Sequence, residues 1–126
     1  METMCTFGRN VYVRGGVLLK AEHFLFLPVG LIIKAAAVCF PSGFPVWITR
    51  GAEQCPGGKK NSKHLICHAF DFGTEHLPES VDRMVLKDRM QAGLGPEYYL
   101  YYKKFKKENG ITVEWIHAQY NGARHN

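Results

Sequence analysis

Apolar and polar positions alternate over VYVRGGVLL (11–19) and break at Gly15-Gly16, which predicts a short strand or hairpin. After Pro28 the apolar residues run nearly unbroken to Phe40, and the Ala35-Ala36-Ala37 run favours helix over strand. PSGFP (41–45) stops that helix. VWIT (46–49) predicts a compact strand, GAEQCPGGKKNSK (51–63) a polar glycine-rich loop, and HAFDF (68–72) a strand paired inside a sheet. Leu77 to Gly93 is predicted to be a helix, with Pro78, Glu79 and Ser80 near its start, apolar Val81, Met84, Val85 and Met90 close to helical spacing, and Gly93 and Gly95 closing it. YYLYY (98–102) and ITVEWIHAQY (111–120) are aromatic and β-branched, and Asn109-Gly110 between them predicts a terminal hairpin. The pattern gives an α+β class: a small single domain, residues 1–126, with a central antiparallel sheet and helices packed on it.

Length and composition add boundaries to this picture. At 126 residues one core is expected, and 46% apolar with 21% charged residues indicates neither disorder nor a fibrous repeat. The net charge of +5 favours anionic partners, such as nucleic acid, acidic lipid or an acidic wall polymer. Much of the excess sits in Lys103, Lys104, Lys106 and Lys107, read as a solvated strand end, and no arginine-aromatic interleaving of a nucleic-acid module is present. A basic nucleic-acid-binding domain is therefore the weakest alternative, and no nucleic-acid partner is expected. The apolar stretch 25–40 is interrupted by Pro28 and Lys34 and is too short to span a bilayer, so no stable membrane insertion is expected. METMCTFGRN lacks the apolar core of a signal peptide, which leads to the expectation of cytoplasmic synthesis without Sec export. Cys5, Cys39, Cys55 and Cys67 form no CxxC pair and are expected to be free thiols.

Six histidines are the candidate chemistry. His23 and His125 are assigned bland surface roles, and His76, beside Glu75, a capping or surface role. His64 and Asp71 differ, because the change from loop to strand between them can bring an imidazole and a carboxylate to one point, with His117 of the terminal hairpin as the natural third. Two nitrogens and one carboxylate oxygen around Zn²⁺ leave a fourth position for water, the arrangement of a catalytic site. The rival is a structural zinc site from Cys55, His64, Cys67 and His68, which leaves Asp71, Glu114 and His117 unexplained.

Ser62-x-His64-x-x-Cys67-x-Ala69-x-Asp71 resembles the SxHxxGxAxD signature of the zinc D,D-carboxypeptidase and dipeptidase family, which includes phage L-alanyl-D-glutamate endolysins and shares a fold with the hedgehog signalling domain. Glu114-Trp115-Ile116-His117 resembles that family's second signature, ExxH. The resemblance covers about Pro45 to Tyr120. It implies His64, Asp71 and His117 as zinc ligands, Glu114 as general base for a zinc-bound water attacking a peptide carbonyl, Ser62 as support for the ligand loop, and Trp115 as support or substrate contact. It implies a metallopeptidase that hydrolyses peptidoglycan peptides, as an endolysin or a D,D-carboxypeptidase-like wall hydrolase of phage or related origin, acting as a monomer at the bacterial wall. The alternative of another class is a catalytically inactive metal-binding structural or virion protein of the same fold.

Two features depart from the family, and a further difficulty is geometric. Relatives place an arginine shortly after TSG, whereas ITRGAEQ puts Arg50 between Thr49 and Gly51, making Arg50 the candidate oxyanion-stabilising residue. Cys67 stands where the family has glycine. Residues three apart on a regular strand point to opposite faces, so Glu114 and His117 reach one metal only if a bulge or strong twist lies between them, and that irregularity is expected.

Overall fold

The computed structural model describes residues 3–4, 11–53, 63–64 and 67–122. Six strands form one sheet in the order β1-β2-β3-β4-β6-β5: β1 (Thr3–Met4), β2 (Val11–Val13), β3 (Val46–Arg50), β4 (Ala69–Gly73), β5 (Tyr98–Lys106) and β6 (Thr112–Tyr120). Three helices, α1 (Glu22–Leu25), α2 (Leu27–Cys39) and α3 (Arg83–Leu94), complete an α+β fold. The sheet is mixed where an antiparallel one is expected, because β2 runs parallel to β3. The chain between them contains α1 and α2, the crossover that a parallel pair requires. Residues 11–19 accordingly give one short strand and then a turn, with Val17 N–H donating to Arg14 O at 3.2 Å and Gly16 at φ 88°, rather than a hairpin.

Alternation along the strands sorts their residues onto two faces. Ile48, Phe70, Phe72, Leu100, Ile116 and Ala118 are buried on one face. They meet Val29, Ile32, Ile33 and Ala36 of α2, spaced as one helical stripe, and Leu86 and Met90 of α3. Each of these side chains larger than alanine contributes about 1.5–3 kcal/mol of burial, so this core decides which sheet face the helices cover. The other face presents Trp47, Asp71, Gly73, Trp115, His117, Gln119 and Tyr101, aligned by the pairings Trp47↔Gly73↔Trp115 and Asp71↔His117↔Tyr101. The aromatic run YYLYY is thereby split, Tyr98 and Leu100 into the core and Tyr99 and Tyr101 onto the open face.

The helix expected from Leu77 begins instead at Arg83. Asp82 is a better N-cap than Ser80 because its carboxylate accepts from Met84 N–H at 2.9 Å and Val85 N–H at 3.1 Å. Residues 74–81 are gathered round the Arg83 guanidinium. Its Nη1 donates to the carbonyls of Pro78 (2.6 Å) and Val81 (2.7 Å), its Nη2 to those of Thr74 (3.0 Å) and Leu77 (2.7 Å), and its Nε to Glu114 Oε1 (2.8 Å). The hairpin turn forms as expected: Gly110 takes φ 86°, and Asn109 Oδ1 accepts from Ile111 N–H at 3.0 Å.

His23 corrects its expected surface role, since it is wholly buried and packs 4.7 Å from the Phe70 ring centroid. Burial lowers its pKa, keeping the imidazole neutral, and its Nδ1 accepts from Lys20 N–H at 3.0 Å. No helix among the described residues is long and apolar enough to cross a membrane.

Candidate metal centre

Asp71 and His117 face each other directly across β4 and β6, so the register alone places their side chains side by side on the open face. His64 reaches the same point from the loop before β4. His64 Nε2 lies 3.1 Å from Asp71 Oδ1 and 3.1 Å from His117 Nδ1, and His117 Nδ1 lies 2.9 Å from Asp71 Oδ1. All three residues are buried, and among the described residues they form the one His/Cys/Asp/Glu group able to hold a metal ion.

The outer partners of the two imidazoles fix what faces the centre. His64 Nδ1 sits 3.0 Å from the Gly51 carbonyl, and His117 Nε2 sits 2.7 Å from Gln119 Oε1. Both contacts are to acceptors, so each of these nitrogens carries the ring proton. Gln119 is itself oriented by donating through Nε2 to Asn121 Oδ1 at 2.6 Å. The inward nitrogens are left with lone pairs, and they converge with a carboxylate oxygen. Three acceptors about 3 Å apart repel unless a cation sits among them, and carbonyl or amide partners behind ligating imidazoles are the usual supporting shell of a metal site. Ligand atoms at 2.0–2.1 Å round a tetrahedral ion lie about 3.3 Å apart, within a few tenths of the spacing seen here. The triad fits a divalent metal ion.

With ring protons on the inward nitrogens instead of an ion between them, burial opposes ionisation of Asp71 most strongly, but hydrogen bonds from His117 and His64 outweigh it and hold the carboxyl below the ordinary carboxylate range, so protons and a metal ion compete for the same carboxylate. Tyr101 stacks flat on His117, with ring centroids 4.7 Å apart and planes at 17°, which pins the ring that Gln119 orients. Burial, and then the charge of Asp71, raises the Tyr101 hydroxyl pKa, so it stays protonated. Replacing Gln119 by Leu is expected to weaken metal binding about 10–100-fold, because His117 loses the acceptor that fixes its tautomer. Competitive titration with a chromophoric chelator measures this directly.

Cys67 has φ 62°, the one described non-glycine residue in left-handed backbone, at the turn that delivers His64, where Cys67 N–H donates to His64 O at 3.0 Å. This is backbone that glycine adopts freely, and the cysteine there bears a strain of about 1–2 kcal/mol. Cys67→Gly is expected to stay within about 1 kcal/mol of wild-type stability, strain relief offsetting glycine's entropy and the lost buried thiol. Cys67→Val, β-branched in the same backbone, is expected to lose about 2 kcal/mol or more. Chemical denaturation of both variants tests the pair. The buried thiol has its pKa raised by burial, the opposite of a metal-ligating thiolate.

The other expected site residues fall in unequal places. β3 carries a register shift between Ile48 and Arg50, so that Arg50, which alternation would aim at the core with Val46 and Ile48, pairs with Asp71 and joins the open face. Its Nε and Nη2 are buried with no hydrogen-bond partner among the described residues. Trp115 lies on the same face, beside Tyr101 and next to Gly73. Glu114 does not join them. The pairing of β6 with β4 and β5 is unbroken from Thr112 to Tyr120, so the irregularity expected between Glu114 and His117 is absent and the two side chains point to opposite faces. Glu114 Oε1 instead accepts from Arg83 Nε and from Thr74 Oγ1, each at 2.8 Å. Its pKa, opposed first by burial, is lowered by Arg83 and Thr74. The role of general base expected for Glu114 loses its geometric basis.

His68 is no ligand: its ring stacks on Phe26, centroids 5.5 Å apart. His76 Nε2 donates to Pro45 O at 2.6 Å, a plain structural contact. Ser62, Cys55 and His125 lie outside the described residues. Sequence reading missed Gln119 and Tyr101, whose roles follow from their places two along from, and directly across from, His117. No family model, no curated protein and no solved structure matches this chain.

Proposed function

We propose that this chain is a zinc-dependent peptidase that cleaves peptidoglycan peptides, an endolysin or D,D-carboxypeptidase-like wall hydrolase. One observation carries the reading: two imidazole nitrogens and a carboxylate oxygen converge on the sheet face away from the helices, beside a guanidinium whose Nε and Nη2 have no hydrogen-bond partner among the described residues. The nitrogen-rich, three-residue donor set suits zinc with a position left open. A metal held there supplies a Lewis acid and a nucleophilic water at neutral pH. The remaining work belongs to the chain's own groups. Arg50 would offer two donor nitrogens, Nε and Nη2, to the oxygen that gains charge as a peptide carbonyl is attacked, an interaction strengthened by the buried surroundings. Tyr101 and Gln119 hold His117 in one orientation, so the site needs little rearrangement on binding. Glu114 holds no proton for this chemistry, being committed to Arg83 on the other face.

That commitment favours a second reading, a metal-binding structural or virion protein of the same fold without peptidase activity. Metal analysis combined with a digest of purified peptidoglycan separates the two. The peptidase reading expects near-stoichiometric zinc and new peptide termini. It expects Arg50→Met to keep the metal while lowering turnover about 10²–10³-fold. Metal without new termini selects the second reading, and protein that binds no divalent metal rejects both.

A further inference from the structure

Beside the triad, on the same sheet face, lies an open groove of about 440 Å³ lined by Arg14, Trp47, Thr49, Glu75 and His76. Gly73, two residues beyond Asp71 on β4, lies between Trp47 and Trp115 across the sheet and against two of the lining side chains, Thr49 and Glu75. A Cβ on Gly73 would sit 2.9 Å from Glu75 Oε1 and 2.9 Å from Thr49 Cγ2, so the glycine is there for space and the space holds a carboxylate. Glu75 Oε2 accepts from Glu114 N–H at 3.4 Å, a long bond that leans the side chain back over the strand end. Trp47 has Tyr12 on one side, ring centroids 4.9 Å apart, and Gly73 on the other. Its β4 side therefore lies next to Gly73 and shares the groove with the Glu75 carboxylate.

We infer that this groove is a binding subsite for an ammonium group on a peptide ligand, with Glu75 as counter-ion and Trp47 as its aromatic wall. An accessible carboxylate next to an indole selects a compact cation over neutral or anionic groups, through Coulomb attraction and the negative face of the ring. Arg14, which also lines the groove, disfavours a second cation and suits the carboxylate or carbonyl end of the same ligand. The position also fits. One side-chain repeat along β4, about 6.8 Å, separates the Asp71 row from the Gly73 row. That span matches the distance from a peptide carbonyl to the side-chain amine of a diamino acid, or to the amino terminus one residue away. The inference deepens the peptidase reading by naming amine-bearing peptides as its ligands, but the groove uses no triad residue.

The test is a titration followed through the Trp47 indole resonance, using Nα-acetyl-L-lysine methylamide and the same molecule acetylated on its side-chain amine. Trp47→Phe assigns the resonance. The free amine is expected to give saturable shifts and to bind about tenfold more tightly than its acetylated form, the scale of one partly desolvated cation–π contact together with a charge pair. Glu75→Gln, an exposed and isosteric change, is expected to erase that preference, and Gly73→Ala to weaken it by displacing the carboxylate. Equal binding of the two probes, or a preference that survives Glu75→Gln, overturns the inference. His117→Ala is expected to retain the preference, so failure of the metal reading and failure of this subsite give different results. Loss of the preference in His117→Ala would show that the groove is no separate subsite.

Discussion

His117→Ala is expected to weaken divalent metal binding by roughly a hundredfold or more, its share of the 10–16 kcal/mol that a complete zinc ligand set supplies. The residue that replaces it offers no donor, and the remaining pair, His64 Nε2 and Asp71 Oδ1 at 3.1 Å, is a two-point site. Elemental analysis of protein dialysed against trace metal reads the loss directly. A thermal shift adds a control that separates binding from folding. At metal concentrations near a thousand times Kd the wild type gains about 4 kcal/mol from the ligand, and that gain vanishes in the variant. With chelator present the two proteins are expected to be similarly stable, because His117 faces the open side of the sheet and the helix-packed core on the other face is untouched. A variant that unfolds in chelator would mean that the ring is structural, and one that keeps its metal would remove the triad from the argument.

The three triad residues were legible because their information is local. His64 and Asp71 sit in one ten-residue stretch where loop gives way to strand, and His117 lies on a strand whose alternation is plain. What depended on register was not legible. Glu114 is three residues from His117, and only a bulge would have carried both to one face. The bulge lies instead in β3, where it swings Arg50 out of the core-facing series of Val46 and Ile48 toward Asp71. Nothing in ITRG marks that extra residue. Gln119 and Tyr101 are ordinary strand residues in the sequence, and they gain meaning only once β5, β6 and β4 are aligned. The parallel pairing of β2 with β3 has the same origin, since a strand's direction is set by the crossover helices and not by its own residues. Cys67 shows the converse: a motif position where glycine was expected kept the backbone of glycine, at φ 62°, while its side chain changed.

Arg83→Met is expected to cost about 3–5 kcal/mol, the loss typical of breaking a buried ion pair by removing one partner. The size follows from what is left behind. Glu114 and Arg83 have side chains only 10% and 13% exposed, and the guanidinium uses Nε for the carboxylate and both terminal nitrogens for four loop carbonyls. Methionine keeps the apolar stem but leaves Glu114 with Thr74 and Tyr102 alone, and leaves the carbonyls of residues 74–81 to find water. The pH dependence gives the cause a signature. Glu114 has a depressed pKa in the folded protein, so its contribution is present above the ordinary glutamate value and lost as pH falls through the folded one. In the variant, burial acts without the arginine and raises the pKa instead. The stability gap between the two proteins should therefore be widest near neutrality, begin to close as pH falls through the variant's raised pKa, and finish closing below the depressed wild-type one, where the carboxyl is protonated in both. Urea unfolding at several pH values measures the gap, and a gap independent of pH would assign the stabilisation to the loop carbonyls and not to the pair. The same pair explains why Glu114 is kept from the metal face: with its carboxylate spent on fastening the β4–α3 loop to β6, rotating it toward His117 would strand both a buried arginine and the loop that it holds.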